Sequence, residues 1–264
     1  MSRLVHVRLR AMLTAVVLLI PASALAADLH VMISAGFYSV YAELAPAFEK
    51  ATGHKLITTR GPSMGDSPEA IPTRLARGEF ADVVIMDGHA AEELARRGIV
   101  RGSTIELAKS QIGMVVRAGA AVPDISSVDA FRRTLVAATS IGYSDSGSGT
   151  YLSTVLFEKL GLADQIARKS RKVRGPPSGE PVAAVVARGE LEIGFQQVSE
   201  LLHTPGVTFV GPLLPELQPG FSFAGGVTAV AKERDAALAL LRFLSSLEAA
   251  PVLTKNGLIP PAAR

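Results

Sequence analysis

Residues 135–160 read LVAATSIGYSDSGSGTYLSTVLFEKL, and the order of features within them decides the fold. An apolar run at 135–141 has strand character. Ser144-Asp-Ser-Gly-Ser-Gly-Thr150 is a loop of hydroxyls and glycines, and 151–160 carries helical spacing. A helix start leaves backbone N–H groups unpaired and carries partial positive charge, so such a junction favours an anion. Glycine lets the backbone approach a ligand with no Cβ in the way. A capped helix on an ordinary surface loop accounts for the same residues. Similar loops at two other strand-to-helix junctions, 34–39 and 61–67, favour a shared ligand site.

Working outward, residues 29–33 form a strand pattern that ends in Ser34-Ala-Gly-Phe-Tyr-Ser39. Val40, Leu44, Ala47 and Phe48 follow at helical spacing, with Gly53 as a stop. A strand at 55–59 leads to Gly61-Pro-Ser-Met-Gly-Asp-Ser67 and a helix at 70–77. A third strand, 81–86, runs into Asp87-Gly-His89 and a helix at 90–97. The same grammar continues: strands at 112–117, 191–195 and 221–230, helices at 128–131, 182–188 and 235–247. Strands alternating with helices imply βαβ units and mostly parallel sheets, an α/β chain. Two lobes are expected, 27–116 with 226–264 and 117–225. Ligands of open α/β sheets bind outside the carboxyl ends of the strands, which puts the three loops across an interlobe cleft.

The first 26 residues read as a secretory signal to be cleaved near Ala26. Arg3, Arg8 and Arg10 precede an apolar stretch, and Ala24-Leu-Ala26 is an A-x-A-type site. Those arginines account for the whole net charge of +3. The remainder is neutral and has no basic stripe interleaved with aromatics, so nucleic acid is not an expected partner. The run Arg168, Lys169, Arg171, Lys172 and Arg174 reads as a solvated helix end or turn. The chain has no cysteine, which excludes disulfides, thiolate metal sites and a cysteine nucleophile.

Ser34-Ala-Gly-Phe-Tyr-Ser39 with Phe48-Glu-Lys-Ala-Thr-Gly53 resembles the opening of type II periplasmic solute-binding proteins, and most closely their molybdate-binding branch. Leu75-Ala-Arg-Gly-Glu-Phe-Ala-Asp-Val-Val84, Phe157-Glu-Lys-Leu-Gly161, Val186-Ala-Arg-Gly-Glu190 and Lys255-Asn-Gly-Leu-Ile-Pro260 fit the same pattern. The resemblance implies a two-lobe fold, a periplasmic location, an ABC permease as partner and a monomer. In the molybdate binders, hydroxyls and backbone amides hold a small oxyanion. The position of their first-loop serine falls on Gly36 here, and that of their second-lobe tyrosine on Gln197. A glycine enlarges the pocket, and an amide both donates and accepts. The expected guest is therefore a larger organic acid, such as a polycarboxylate, rather than molybdate.

The expected ligand contacts are Ser34, Gly36, Phe37, Ser39, Arg60, Ser63, Met64, Ser67, Ser146, Ser148, Gly149, Thr150, Ser178 and Gln197. Arg60 suits a bidentate carboxylate clamp, or an exposed loop edge. Asp87 suits a proton carrier, or the cap of the next helix. His89 reads as a surface residue, and no histidine spacing suits a metal. Neither a phosphate-binding glycine loop nor a serine-hydrolase elbow is present. Two functions follow. One is a binder that delivers a small organic anion to an importer through neutral donors in a closing cleft. The other is an isomerase on the same fold, as in aconitate isomerase, which resembles the molybdate binders. It would interconvert cis- and trans-aconitate without a cofactor, with Asp87 as base.

Overall fold

The computed structural model describes residues 26–262. The signal sequence expected at 1–26 lies, but for Ala26, outside the described residues. The strands are β1 (Asp28–Ile33), β2 (Lys55–Arg60), β3 (Val83–Asp87), β4 (Ile105–Ser110), β5 (Ile112–Arg117), β6 (Ile141–Ser144), β7 (Ser170–Val173), β8 (Ile193–Gln197), β9 (Val207–Pro212) and β10 (Phe221–Val227). They form two five-stranded sheets, ordered β2-β1-β3-β10-β4 and β7-β6-β8-β5-β9. In the first, β1 is parallel to β2 and β3, while β10 runs antiparallel to β3 and β4. In the second, β6 is parallel to β7 and β8, while β5 runs antiparallel to β8 and β9. Each sheet is thus mostly parallel with one reversed strand.

Those reversed strands are the ones on which the chain arrives from the other lobe. Only Gln111 separates β4 from β5, and residues 213–220 lead back to β10. Both crossings fall earlier in the chain than the pattern suggested: β5 belongs to the second sheet and all of β10 to the first. A continuous apolar strand gives no sign of the sheet it joins.

Helices cover both faces of each sheet, and strand alternation divides the cores accordingly. Val31, Ile33, Val83 and Ile85 pack beneath the helices Ala35–Thr52 and Arg234–Leu244, whereas Met32, Val84 and Met86 face the helix Gly88–Arg96. The C-terminal helices pack on the first sheet through Leu240, Leu241, Leu244 and Leu253. In the second lobe, Ile112, Met114 and Val116 meet Phe131, Leu135 and Phe195, while Val115 meets Val182 and Val186.

Residues 135–137 differ from expectation, because they end the helix Val128–Ala137. Ser127 Oγ caps that helix by accepting from the Ala130 N–H at 3.1 Å, and Phe131 and Leu135 share its buried face. The strand that carries the hydroxyl loop therefore begins only at Ile141. The basic run is the edge strand β7 together with its flanks. Lys169 Nζ donates to the carbonyls of Val136 and Ala138 at 2.7 and 2.6 Å, and Arg171 pairs with Glu190. Charge on an edge strand discourages pairing with another chain.

Candidate functional site

Four strands end at one place between the lobes. Ser34 after β1, Asp87 at the end of β3, Ser146 after β6 and Gln197 at the end of β8 are N-cap residues of the helices that follow, and all four line a single cavity. It holds about 510 Å³ of empty space, counting the part open to solvent, with walls from both lobes. Four helix starts around one space make it attractive to negative charge. Ser34 and Ser146 do not cap their helices through their side chains. Ser34 Oγ is buried and has no hydrogen-bond partner among the described residues, which suits it to a ligand contact.

The hydroxyl loop is organised internally. Ser144 Oγ lies 2.7 Å from Ser146 Oγ and 3.2 Å from Ser148 Oγ. Gly149 is required by close approach, since a Cβ there would lie 1.7 Å from the Ser144 carbonyl oxygen. That contact holds the helix start over the end of β6. Ser63 Oγ accepts from the Asp87 N–H at 2.9 Å and joins the second loop to the third strand. Gln197 Oε1 accepts from Ser110 Oγ at 2.7 Å across the lobes, which leaves its amide N–H groups for a ligand.

Carboxylates share this wall. Asp87 Oδ1 accepts from the Ala90 N–H at 3.1 Å, so it does cap its helix, yet it also faces the cavity. Burial raises its pKa above the ordinary aspartate value, against the lowering pull of the Ala90 N–H. Asp145 accepts from the Gly175 N–H at 3.1 Å. Glu200 accepts from Gln196 Nε2 at 2.7 Å, and burial pushes its carboxyl up to about 7. These carboxyls stand beside the neutral donors Ser34, Ser63 and Gln197 on the same wall. Among the described residues these carboxylates do not gather into a metal-ligand cluster.

Several expected contacts lie elsewhere. Gly36 does line the cavity but does not enlarge it: a Cβ on it would lie 2.2 Å from Phe223 Cζ, so the Phe223 ring occupies that space. Phe37 is core, packed on Phe223 with ring centroids 6.0 Å apart. Arg60 lays its guanidinium 4.0 Å from the Tyr38 ring centroid and, with Ser39, lines an outer recess. Met64, Ser67 and Thr150 line a second outer recess. Ser148 and Gly149 are buried behind the wall. Ser178 Oγ donates to Glu69 Oε2 at 2.5 Å, beside the Arg174–Glu69 pair at 3.2 Å, and so ties one lobe to the other. Ser144, Asp145, Gln196, Glu200 and Phe223 are among the lining residues that the expected contacts left out. The doublet Gln196-Gln197 at a strand end was the available signal for Gln196 and its neighbour Glu200.

A family model described as bacterial extracellular solute-binding protein matches residues 29–259. Aconitate isomerase from a Pseudomonas species is 46% identical over 237 residues, which cover 89% of each chain. The molybdate-binding protein ModA of Azotobacter vinelandii is 26% identical over 243 residues, covering 90% of this chain and 92% of that protein. The solved periplasmic molybdate-binding protein of Azotobacter vinelandii superposes with a TM-score of 0.71 at 19% identity, covering 88% of this chain and 99% of that one, and agrees with the two-lobe fold. The chain belongs to the bacterial extracellular solute-binding protein family.

Proposed function

We propose that this member of the solute-binding family works in the periplasm as an isomerase of a small unsaturated polycarboxylate, with the interconversion of cis- and trans-aconitate as its reaction. The observation that carries the reading is the pair of carboxyls, Asp87 and Glu200, set on the wall of one interlobe cleft and both raised in proton affinity by burial. Ionised carboxylates repel an anion and help a pure binder only as protonated donors, whereas a proton shift needs a positioned base. The 46% identity to an aconitate isomerase over most of both chains supports the same choice.

The chemistry asked of the cleft is small. A carboxylate, with Asp87 as the candidate, takes a proton from the methylene carbon of the substrate. The electrons of that C–H bond become the new double bond, the old double bond gives its pair to the far alkene carbon, and a proton returns there. Nothing is oxidised or reduced. Negative charge that develops on the substrate carboxylates meets the Ser34 and Ser63 hydroxyls and the Gln197 amide.

A second reading, a binder that hands an organic anion to an ABC permease, is favoured by the family and by the contacts that close the cleft at Glu69, Arg174 and Ser178. The two readings separate when the protein is incubated with trans-aconitate and the cis isomer is followed by NMR. Product above the uncatalysed rate supports the isomerase. A ligand-induced rise in Tm without turnover supports the binder. Molybdate, sulfate and citrate serve as comparison ligands.

A further inference from the structure

We propose that Glu200 is the second acid–base residue of the cleft, meeting the ligand from the second lobe while Asp87 meets it from the first. The proposal rests on the isomerase reading above and adds the partner that a proton shift between two carbons can use.

Glu200 lies in the short helix Val198–Leu201 that follows β8, and its side chain forms part of the wall between the interlobe cavity and the outer recess. Its orientation is fixed by a relay. The Val182 N–H donates to Gln196 Oε1 at 3.0 Å, which sets the amide, and Gln196 Nε2 then donates to Glu200 Oε1 at 2.7 Å. The groups around it are Asp145 and Asp87 in the cavity and Arg60 and His203 in the recess. Burial raises its proton affinity, Asp145 adds to the rise, and Gln196 and Arg60 oppose it. Near neutral pH such a carboxyl is present in both forms, as an acid and a base that must exchange roles require. Because Glu200 also borders the recess, its proton can exchange with water while the cavity is closed on the ligand.

Glu200 stands three residues after the N-cap Gln197, whose backbone N–H also bears on its carboxyl, so a capping role is the structural alternative. Glutamine caps in the same way but carries no acidic proton, which makes Glu200→Gln the discriminating substitution.

The test follows trans-aconitate in D2O by NMR, with calorimetric titrations of the same ligand near pH 7 in buffers of differing ionisation heat. Wild type is expected to place solvent deuterium in the product and to take up a proton on binding. Glu200→Gln is expected to lose turnover by about 100-fold or more, keep its affinity within a few-fold and take up no proton. Wild-type turnover in the variant overturns the role of Glu200 and leaves the isomerase reading standing. If wild type binds but does not turn over, the isomerase reading fails and the calorimetry still judges Glu200. Proton uptake confined to wild type then supports its contact with the ligand, and equal uptake in both proteins refutes it.

Discussion

Gly36 occupies the position at which the molybdate-binding resemblance implies a serine, so restoring that serine tests whether the site was enlarged or rebuilt. In Gly36→Ser the new Cβ would start 2.2 Å from Phe223 Cζ and 3.0 Å from its Cε1. The Phe223 ring is buried and packed on Phe37, so making room for the new side chain costs packing. Overpacking of this kind costs about 1–3 kcal/mol, which lowers the Tm of a chain this size by roughly 2–12 °C. Thermal unfolding measures the loss. Shortening the ring in Phe223→Leu should relieve it, so the double variant should be less destabilised than the sum of the two single variants by at least about 0.5 kcal/mol. No molybdate-induced rise in Tm is expected in Gly36→Ser, because the Phe223 ring already fills the space the new side chain needs. The reasoning fails if Gly36→Ser melts with wild type and gains a molybdate-dependent shift.

Asp87→Asn should lower turnover of trans-aconitate by about 10²- to 10⁴-fold while leaving Tm nearly unchanged, since asparagine caps a helix as well as aspartate does. Unaltered turnover removes Asp87 as the base. Glu69→Ala should speed ligand release by roughly two- to five-fold in stopped-flow displacement, in line with an exposed pair, because it removes the acceptor of Ser178 and Arg174 across the lobes. The Ser178 hydroxyl, and then Arg174, hold the Glu69 carboxyl below its usual pKa. This contact is therefore present at neutral pH and lost as pH falls through that lowered value. An unchanged release rate would remove the contact as a brake on opening. For Glu200 the sign reverses, because its pKa is raised from 4.5 to about 7. Between those values the folded protein holds a proton that the unfolded chain releases, so stability falls as pH rises from 4.5 to 7. Glu200→Gln should melt above wild type at pH 8 and nearer to it at pH 5. Equal melting at both pH values would refute the burial of that charge.

The fold was legible because its grammar is local. Short apolar runs in β1 and β3 and helical spacing after them set both layers, and Gly53, with φ +76°, marks a helix end that a side chain would strain. Residues 135–137 misled because an apolar run of that length suits a strand and a buried helix face equally. The cleft was legible where a strand end passes directly into a helix cap, as at Ser34, Asp87, Ser146 and Gln197. It was not legible at Phe223, which comes back from the second lobe to fill the space at Gly36. Glu200 was hidden for another reason. Its helix is only four residues long, and its role depends on an amide that a distant N–H holds. Ser39 and Arg60 were read as cleft residues from proximity in sequence, but their side chains lie at the outer recess with Tyr38 and Glu200.

The electrostatics of the cleft argue for a particular order of events. Four helix starts favour an anion, while Asp87, Asp145 and Glu200 repel one unless a proton sits among them. An arriving polycarboxylate raises the proton affinity of the carboxyls it approaches, so ligand and proton bind with mutual support. An oxyanion gains from that added proton only through a hydrogen bond. A substrate with an acidic methylene beside a double bond can also lose a proton to one carboxyl and gain one from another. Affinity should therefore fall as pH rises through the neutral range, and most steeply for the ligand with the most negative charge. A flat affinity profile for trans-aconitate between pH 6 and pH 8 would mean that the carboxyls do not face the guest, and it would count against both the base at Asp87 and its partner at Glu200.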